Sequence, residues 1–468
     1  MSWLREATTA DGDVVDVEIA DGVIRRVIRH PSITRPAPGT ASPGGASDHT
    51  AAEDVDLRGQ VLLPSFVEPH AHLDKALTAA LAPNGTGDLL GAIAAIQTLM
   101  PHATVADIAA RAQAALRIGL ALGTTHVRTH VNVGGPAGMR ALEALIDVRE
   151  RWRGLVELQL VALVSNPLSG QPGRDLRRAL AEGADVAGGC PHLDPEPERA
   201  VAICLDAAGD AGCPIDLHTD ETLDPRLLTL ATLAELVMRT GFGHGAAASH
   251  CVSLGMQPLD VQARISEQVA AAGVGVVTLP QTNLYLQGRG HPVGTPRGLT
   301  AIAALRRAGV TVAAGGDNLR DPFNPVGRGD ALETASLLVT AGHLDASDAL
   351  SCVSAAPRRL LGLPPVTLTP GSPADLVALP GSDALSALAA ADVARTVWRG
   401  GRIVARTHLR RVLVEPGGIE PGGIEPGDVE PGDVEPGRGV EPRGHARLVP
   451  AAAVTCPPPR PRPWEAAS

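Results

Sequence analysis

The sequence predicts an α/β protein: a (β/α)8 TIM barrel with a small flanking β-domain built from both chain ends. Three observations carry this. Short apolar runs alternate with Ala/Leu-rich stretches whose apolar residues recur at three- and four-residue spacing. Eight such runs fall between residues 61 and 317, a span close to the ~250 residues usual for that barrel. Outside the span, shorter strand-like runs near the two ends resemble one another more than they resemble the barrel. A doubly wound open sheet is the rival, but no GxGxxG follows the first apolar run.

In chain order, VVDVEIADGVIRRVI (14–28) alternates around an Asp21-Gly22 turn and predicts a β-hairpin, after a polar start over Met1–Asp13. Residues 32–53 are rich in Pro, Gly, Ser and Ala and read as a flexible loop. Barrel strands are expected at 61–67, 124–131, 156–163, 184–188, 214–219, 245–250, 274–279 and 310–316. Helices are expected at 107–122, 138–152 and 227–240. The segments 369–381 and 393–405 read as short strands parted by Gly and Pro turns. Domain bounds follow: 1–60 and 361–410 for the two parts of the β-domain, 61–360 for the barrel. From 415 to 435 EPG recurs every five residues with at most one Ile or Val per repeat, so 411–468 is expected to be a disordered, low-complexity tail.

Composition narrows the function. Hydrophobic residues make up 44%, enough for a large core. A formal charge of −11 argues against a general nucleic-acid binder or a polybasic membrane-surface protein. There is no apolar run of about 18 residues and no charged-then-apolar start, so no membrane association and a cytoplasmic location are expected. Cysteines 190, 204, 213, 251, 352 and 456 form no CxxC pair and read as reduced thiols. Lys75 is the only lysine against 39 arginines, so its survival at one position asks for a reason.

The chemistry concentrates at strand ends. His70 and His72, at i and i+2 on the first strand, share a face and can hold one divalent metal. A pair of capping or surface histidines is the plainer alternative. His218 ends the fifth strand, His250 the sixth and Asp317 the eighth, all on one rim of a barrel. His70, His72, His218 and Asp317 then offer N,N,N,O ligation with a position left for water; Zn2+ and Fe2+ both suit it.

The HxHLDK, HTDE, SH and GGDN pieces resemble the amidohydrolase superfamily, specifically its cytosine-deaminase-like branch, over roughly residues 60–405. The resemblance implies one divalent metal, since the strands that carry a bridging lysine in two-metal members have none here. It implies Glu221 as proton shuttle, His250 as polarising group, and Asp317 as both ligand and proton acceptor. A plainer reading makes Glu221 an acid at a helix start. Substrate contacts are expected from Lys75, Ser165, Asn318 and Phe323. His130 is expected near the site, Arg128 as an ion-pair partner and His126 as packing. The pyrimidine-reading glutamine of cytosine deaminases is absent, its stretch being Leu163-Val164-Ser165 here, and an acidic pair becomes Asp317-Asn318.

The expected activity is metal-dependent hydrolysis of a C–N bond in a small cyclic nitrogen compound, a pyrimidine or triazine. Removal of a substituted amine, or cyclic-amide hydrolysis, is the alternative within the class, and an inactive barrel scaffold the alternative outside it. The partner is a small molecule, and homo-oligomerisation is compatible with it.

Overall fold

The computed structural model describes residues 1–30, 54–135, 138–171 and 173–410. The expected loop at 32–53 and the tail at 411–468 lie outside them. Two eight-stranded sheets organise the described chain. The first contains β1 (Ser2–Thr8), β2 (Val14–Ala20), β3 (Val23–Arg29), β4 (Val55–Asp56) and β5 (Gln60–Pro64). The second is parallel throughout and runs β6 (Phe66–Ala71), β7 (Thr124–Asn132), β8 (Glu157–Val164), β9 (Val186–Gly189), β10 (Ile215–Thr219), β11 (Ala246–His250), β12 (Gly275–Thr278) and β13 (Val312–Ala314), each paired with the next. The chain then returns to the first sheet as β14 (Leu376–Pro380), β15 (Thr396–Arg399) and β16 (Arg402–Arg406). This is the expected barrel with its flanking β-domain.

The hairpin forms as read, with Ala20 opposite Val23 and both turn residues at positive φ, Asp21 at 53° and Gly22 at 79°. The expected first strand divides. Residues 60–64 pair antiparallel with β14 in the flanking sheet, and the barrel begins only at Phe66. The apolar run hides this because β5 is buried on both faces. Val61 and Leu63 join the barrel core, while Leu62 joins the flanking core. Strand β1 was missed in the polar start: a bulge between Leu4 and Ala7, with Glu6 at φ 52°, interrupts the alternation that would reveal it.

α1 (Leu89–Leu99) lines the cavity at the C-terminal rim, and helices cover the barrel's outer face, among them α2 (Val105–Ala121), α3 (Arg140–Trp152), α4 (Arg174–Ala181), α5 (Pro197–Ala211) and α6 (Thr229–Thr240). α3 shows the cause plainly: Leu142, Leu145 and Val148 lie at i, i+3 and i+6 and are fully buried. None of the described helices is long and apolar enough to cross a membrane. The five described cysteines are free thiols, and Cys190, Cys204, Cys251 and Cys352 are buried.

The sheet closes between its first and last strands through one parallel bridge, Ala71 with Asp317. Asp317 N donates to His70 O at 3.1 Å, and His72 N donates to Asp317 O at 3.2 Å. Closure therefore happens at the C-terminal rim, at the residues the sequence singled out.

Gly123, between α2 and β7, sits at φ 99°, and a Cβ there would stand 3.0 Å from both Phe66 and Val377. Gly123→Val should therefore combine backbone strain with overpacking, about 2–4 kcal/mol together. A thermal melt checks this; an unchanged midpoint would contradict the packing described.

Candidate metal and catalytic site

Side chains at alternate positions share a face of a strand, so His70 and His72 both turn inward at the end of β6. His218 comes from β10, His250 from the last position of β11, and Asp317 from the loop after β13. All five are buried. Nε2 of His218 lies 3.1 Å from Nε2 of His70 and 3.2 Å from Nε2 of His72. Oδ1 of Asp317 lies 3.3 Å from His72 Nε2 and 3.6 Å from His70 Nε2. Two ligand atoms bound tetrahedrally to one ion, each about 2.0–2.1 Å from it, would stand about 3.3 Å apart. Both oxygens of Asp317 are buried without a hydrogen-bond partner. The donor set fits a divalent cation.

Hydrogen bonds beneath the candidate ligands fix the tautomer of His70. Arg128 Nη1 donates to Asp216 Oδ2 at 2.8 Å, which keeps a buried carboxylate as an acceptor even though burial pushes its pKa up. Ser249 Oγ donates to Asp216 Oδ1 at 3.0 Å, so this hydroxyl must accept from His70 Nδ1, 2.9 Å away. The proton on Nδ1 leaves the Nε2 lone pair facing the centre. Burial, then the neighbouring imidazoles, holds His70 and His218 well below the ordinary histidine range. They are neutral near pH 7, as metal ligation requires.

The same logic settles His250. Asn283 Nδ2 donates to Gly298 O at 2.9 Å, which turns its Oδ1 toward His250 Nδ1, also at 2.9 Å. An amide oxygen only accepts, so Nδ1 carries the proton and Nε2 presents its lone pair toward Asp317 Oδ2, 3.9 Å away. Burial lowers the His250 pKa to about 4. The backbone at these positions is strained: Asp220, His250, Cys251 and Asp317 all have φ between 48° and 67°.

Glu221 is buried, and its Oε1 lies 3.6 Å from His250 Nδ1. Burial first, then the Asp317 charge, pushes its pKa well above the usual carboxyl range. It does not start a helix. The acid that does so is Asp220, whose carboxylate accepts from the backbone N–H groups of Thr229 and Leu230 at the head of α6.

The site opens into a cavity of about 840 Å3. Lys75, Ser165, Asn318 and Phe323 all line it, with His72, His218, Glu221, His250 and Asp317 at one end. Asn318 is committed elsewhere: its Nδ2 donates to Asp321 at 2.8 Å, and its Oδ1 accepts from Thr282 at 3.1 Å. Lys75 is buried, with Nζ 2.7 Å from His72 Nδ1 and 3.3 Å from Asp74 Oδ1. His130 stacks on His70 at 3.9 Å between ring centroids; among the described residues neither of its ring nitrogens has a hydrogen-bond partner, and Nε2 lies 3.9 Å from Asp216 Oδ1. His126 contacts Thr125 Oγ1 at 2.9 Å and is separate from the ligand cluster. Sequence reasoning missed Asp216, Ser249 and Asn283 as partners of the ligands, and His192, whose Nδ1 lies 3.0 Å from His218 O. Asp216, two residues before His218 on one strand face, was the one with a signal.

Residues 79–405 match the model of the Amidohydrolase family. The chain is 33% identical to the pterin deaminase of Rhizobium rhizogenes strain K84 over 400 residues, 84% of this chain and 88% of that protein. The 5-methylcytosine deaminase of Klebsiella pneumoniae superposes with a TM-score of 0.78 at 29% identity, covering 88% of this chain and 99% of the other. For the N-isopropylammelide isopropylaminohydrolase of Burkholderia multivorans the TM-score is 0.69 at 30% identity, over 86% and 98%.

The ion pair under the ligands makes its own prediction. Arg128→Met strands the buried Asp216 carboxylate and should cost about 3–5 kcal/mol, read as a lowered melting temperature. Adding Asp216→Leu should recover part of the loss; no recovery would mean that Arg128 acts by packing alone.

Proposed function

The chain belongs to the amidohydrolase family and is a hydrolase of carbon–nitrogen bonds other than peptide bonds, and from that premise we propose that it deaminates an amino-substituted, nitrogen-rich aromatic ring. The observation that carries this reading is the convergence of His70, His72, His218 and Asp317 beside Glu221 and His250 at the end of one cavity. His70, His72, His218 and Asp317 would hold a single divalent ion, Zn2+ or Fe2+. Such an ion, when bound, acidifies water and polarises the reacting carbon–nitrogen system.

The chain's own groups handle the protons. Glu221, whose raised pKa favours its protonated form, gives a proton to a ring nitrogen and takes one back as water is consumed. His250 Nε2 and the Asp317 carboxylate accept protons on the side facing the cavity. His72 has two neighbours at Nδ1: the His130 carbonyl at 3.2 Å, which only accepts, and the Lys75 ammonium, which only donates. Once Nε2 serves as a ligand, Nδ1 carries the proton and bonds the carbonyl. Lys75 then turns a donor toward a substrate oxygen, with Ser165 and Phe323 along the ring. Asn318, held at both ends of its amide, shapes the wall instead of reading the substrate.

The cavity volume favours a ring larger than one pyrimidine. About 840 Å3 lies toward the upper end of ordinary small-molecule pockets, and a single six-membered ring would leave most of it open. A fused bicyclic aminolactam of the pterin type fits the space and agrees with the 33% relative. A cytosine-sized substrate has less support, because Ser165 stands in the stretch where a pyrimidine-reading glutamine would be needed.

Three measurements test the reading. The purified protein should carry close to one transition metal per chain, and His72→Ala should lose most of it along with turnover. Ammonia release should be fastest on pterin-type rings within a panel that also contains cytosines and alkylamino-triazines. Glu221→Gln should keep the metal and the fold while lowering kcat by about 10²–10⁴. Amine release from the triazines alone would favour the substituted-amine reaction, and no release from any ring by a metal-loaded protein would favour a scaffold.

A further inference from the structure

We propose that Glu68 is a positioning residue, a side-chain splint across the barrel's one unladdered seam that sets the spacing of His70 and Asp317. The proposal rests on the metal-site reading above. Each other neighbouring pair of barrel strands is held by a parallel ladder of three or more residue pairs. Between β6 and β13 the pairing is the single Ala71–Asp317 bridge. Just below that bridge, Glu68 Oε1 accepts from His70 N at 3.0 Å, and Glu68 Oε2 accepts from Gly316 N at 2.8 Å.

One planar carboxyl group thus ties the backbone of the first candidate ligand strand to the backbone one residue before Asp317. Both bonds end on that single group, so its geometry fixes the separation of the two amides. The neighbouring residues leave room for it. A Cβ at Gly315 would collide with Glu68 Oε1, and one at Gly316 would stand 3.2 Å from Glu68 Oε2. Neither glycine has positive φ, so what they supply is space.

Glu68 does not line the catalytic cavity. It faces a separate cavity of about 60 Å3, lined also by Leu116, Leu120 and Gln281, on the other side of Asp317. Its influence on the ligands therefore passes through the two backbone amides. Ligand atoms at 3.1–3.6 Å leave little tolerance, and a shift of a few tenths of an ångström between His70 and Asp317 degrades a metal site.

The test compares Zn2+ affinity, by competition with a chromogenic chelator, in the wild type, Glu68→Gln, Glu68→Ala and a control, Ser65→Ala. Ser65 lies at the lower end of the same strand, where its Oγ bonds Thr125 and Arg358, so its loss loosens the strand away from the seam. Glu68→Gln keeps one acceptor and turns an N–H against the other amide; it should weaken Zn2+ binding about tenfold, and Glu68→Ala about 10–100-fold. Ser65→Ala should lower the melting temperature yet hold Zn2+ within about twofold of wild type. Wild-type affinity in Glu68→Gln, or an equal loss in Ser65→Ala, overturns the splint while leaving the metal site standing. A wild-type protein that binds no Zn2+ overturns both. If Glu68→Ala does not fold, the Glu68→Gln comparison decides alone.

Discussion

Closure of the parallel sheet at Asp317 is the constraint on which the rest of the molecule depends. Parallel strands converge their C-terminal ends on one rim, and the chain must join the first strand to the last there. It does so with a reciprocal backbone pair, Asp317 to His70 and His72 to Asp317. The same three residues carry side chains proposed as metal ligands. The barrel cannot be closed correctly without assembling its site, nor the site opened without loosening the barrel.

Electrostatics explains why so much polar structure lies beneath that rim. Burying three imidazoles with their lone pairs facing one another is unfavourable unless something positive stands between them. The chain prepares for this by holding the imidazoles neutral and, at His70, by pointing the proton outward through Ser249 to Asp216. Asp216 in turn needs Arg128, since a fully buried carboxylate without a counter-charge would take up a proton and cease to order the chain of donors. Positive φ at Asp220, His250, Cys251 and Asp317 is a further cost of aiming side chains inward from strand ends.

Much of the site was legible because strands and histidines have simple periodicities. The i, i+2 spacing of His70 and His72 predicts a shared face, and eight apolar runs ordered along the chain predict which residues meet on one rim. What escaped was whatever depends on a partner far away in sequence. Ser249 contacts His70 and Asn283 contacts His250, and a lone serine or asparagine carries no sign of such a role. Glu221 also read as the acid at a helix start, and the structure gives that place to Asp220, its immediate neighbour.

By itself the sequence determined the class of fold, the order of its strands and the residue types gathered at their ends, because hydrophobic periodicity and strand alternation are local properties. The tertiary structure decided where the barrel begins, since the apolar run over 61–67 has the same pattern whether it feeds one sheet or two. It decided which nitrogen of His70 and of His250 carries the proton, since a tautomer is set by the hydrogen-bond partner and those partners lie up to 179 residues away. It decided, too, that Lys75 lies buried against His72 and that the Asn318 amide is already engaged. Side-chain availability is a property of packing, and packing is written in contacts that no stretch of sequence contains.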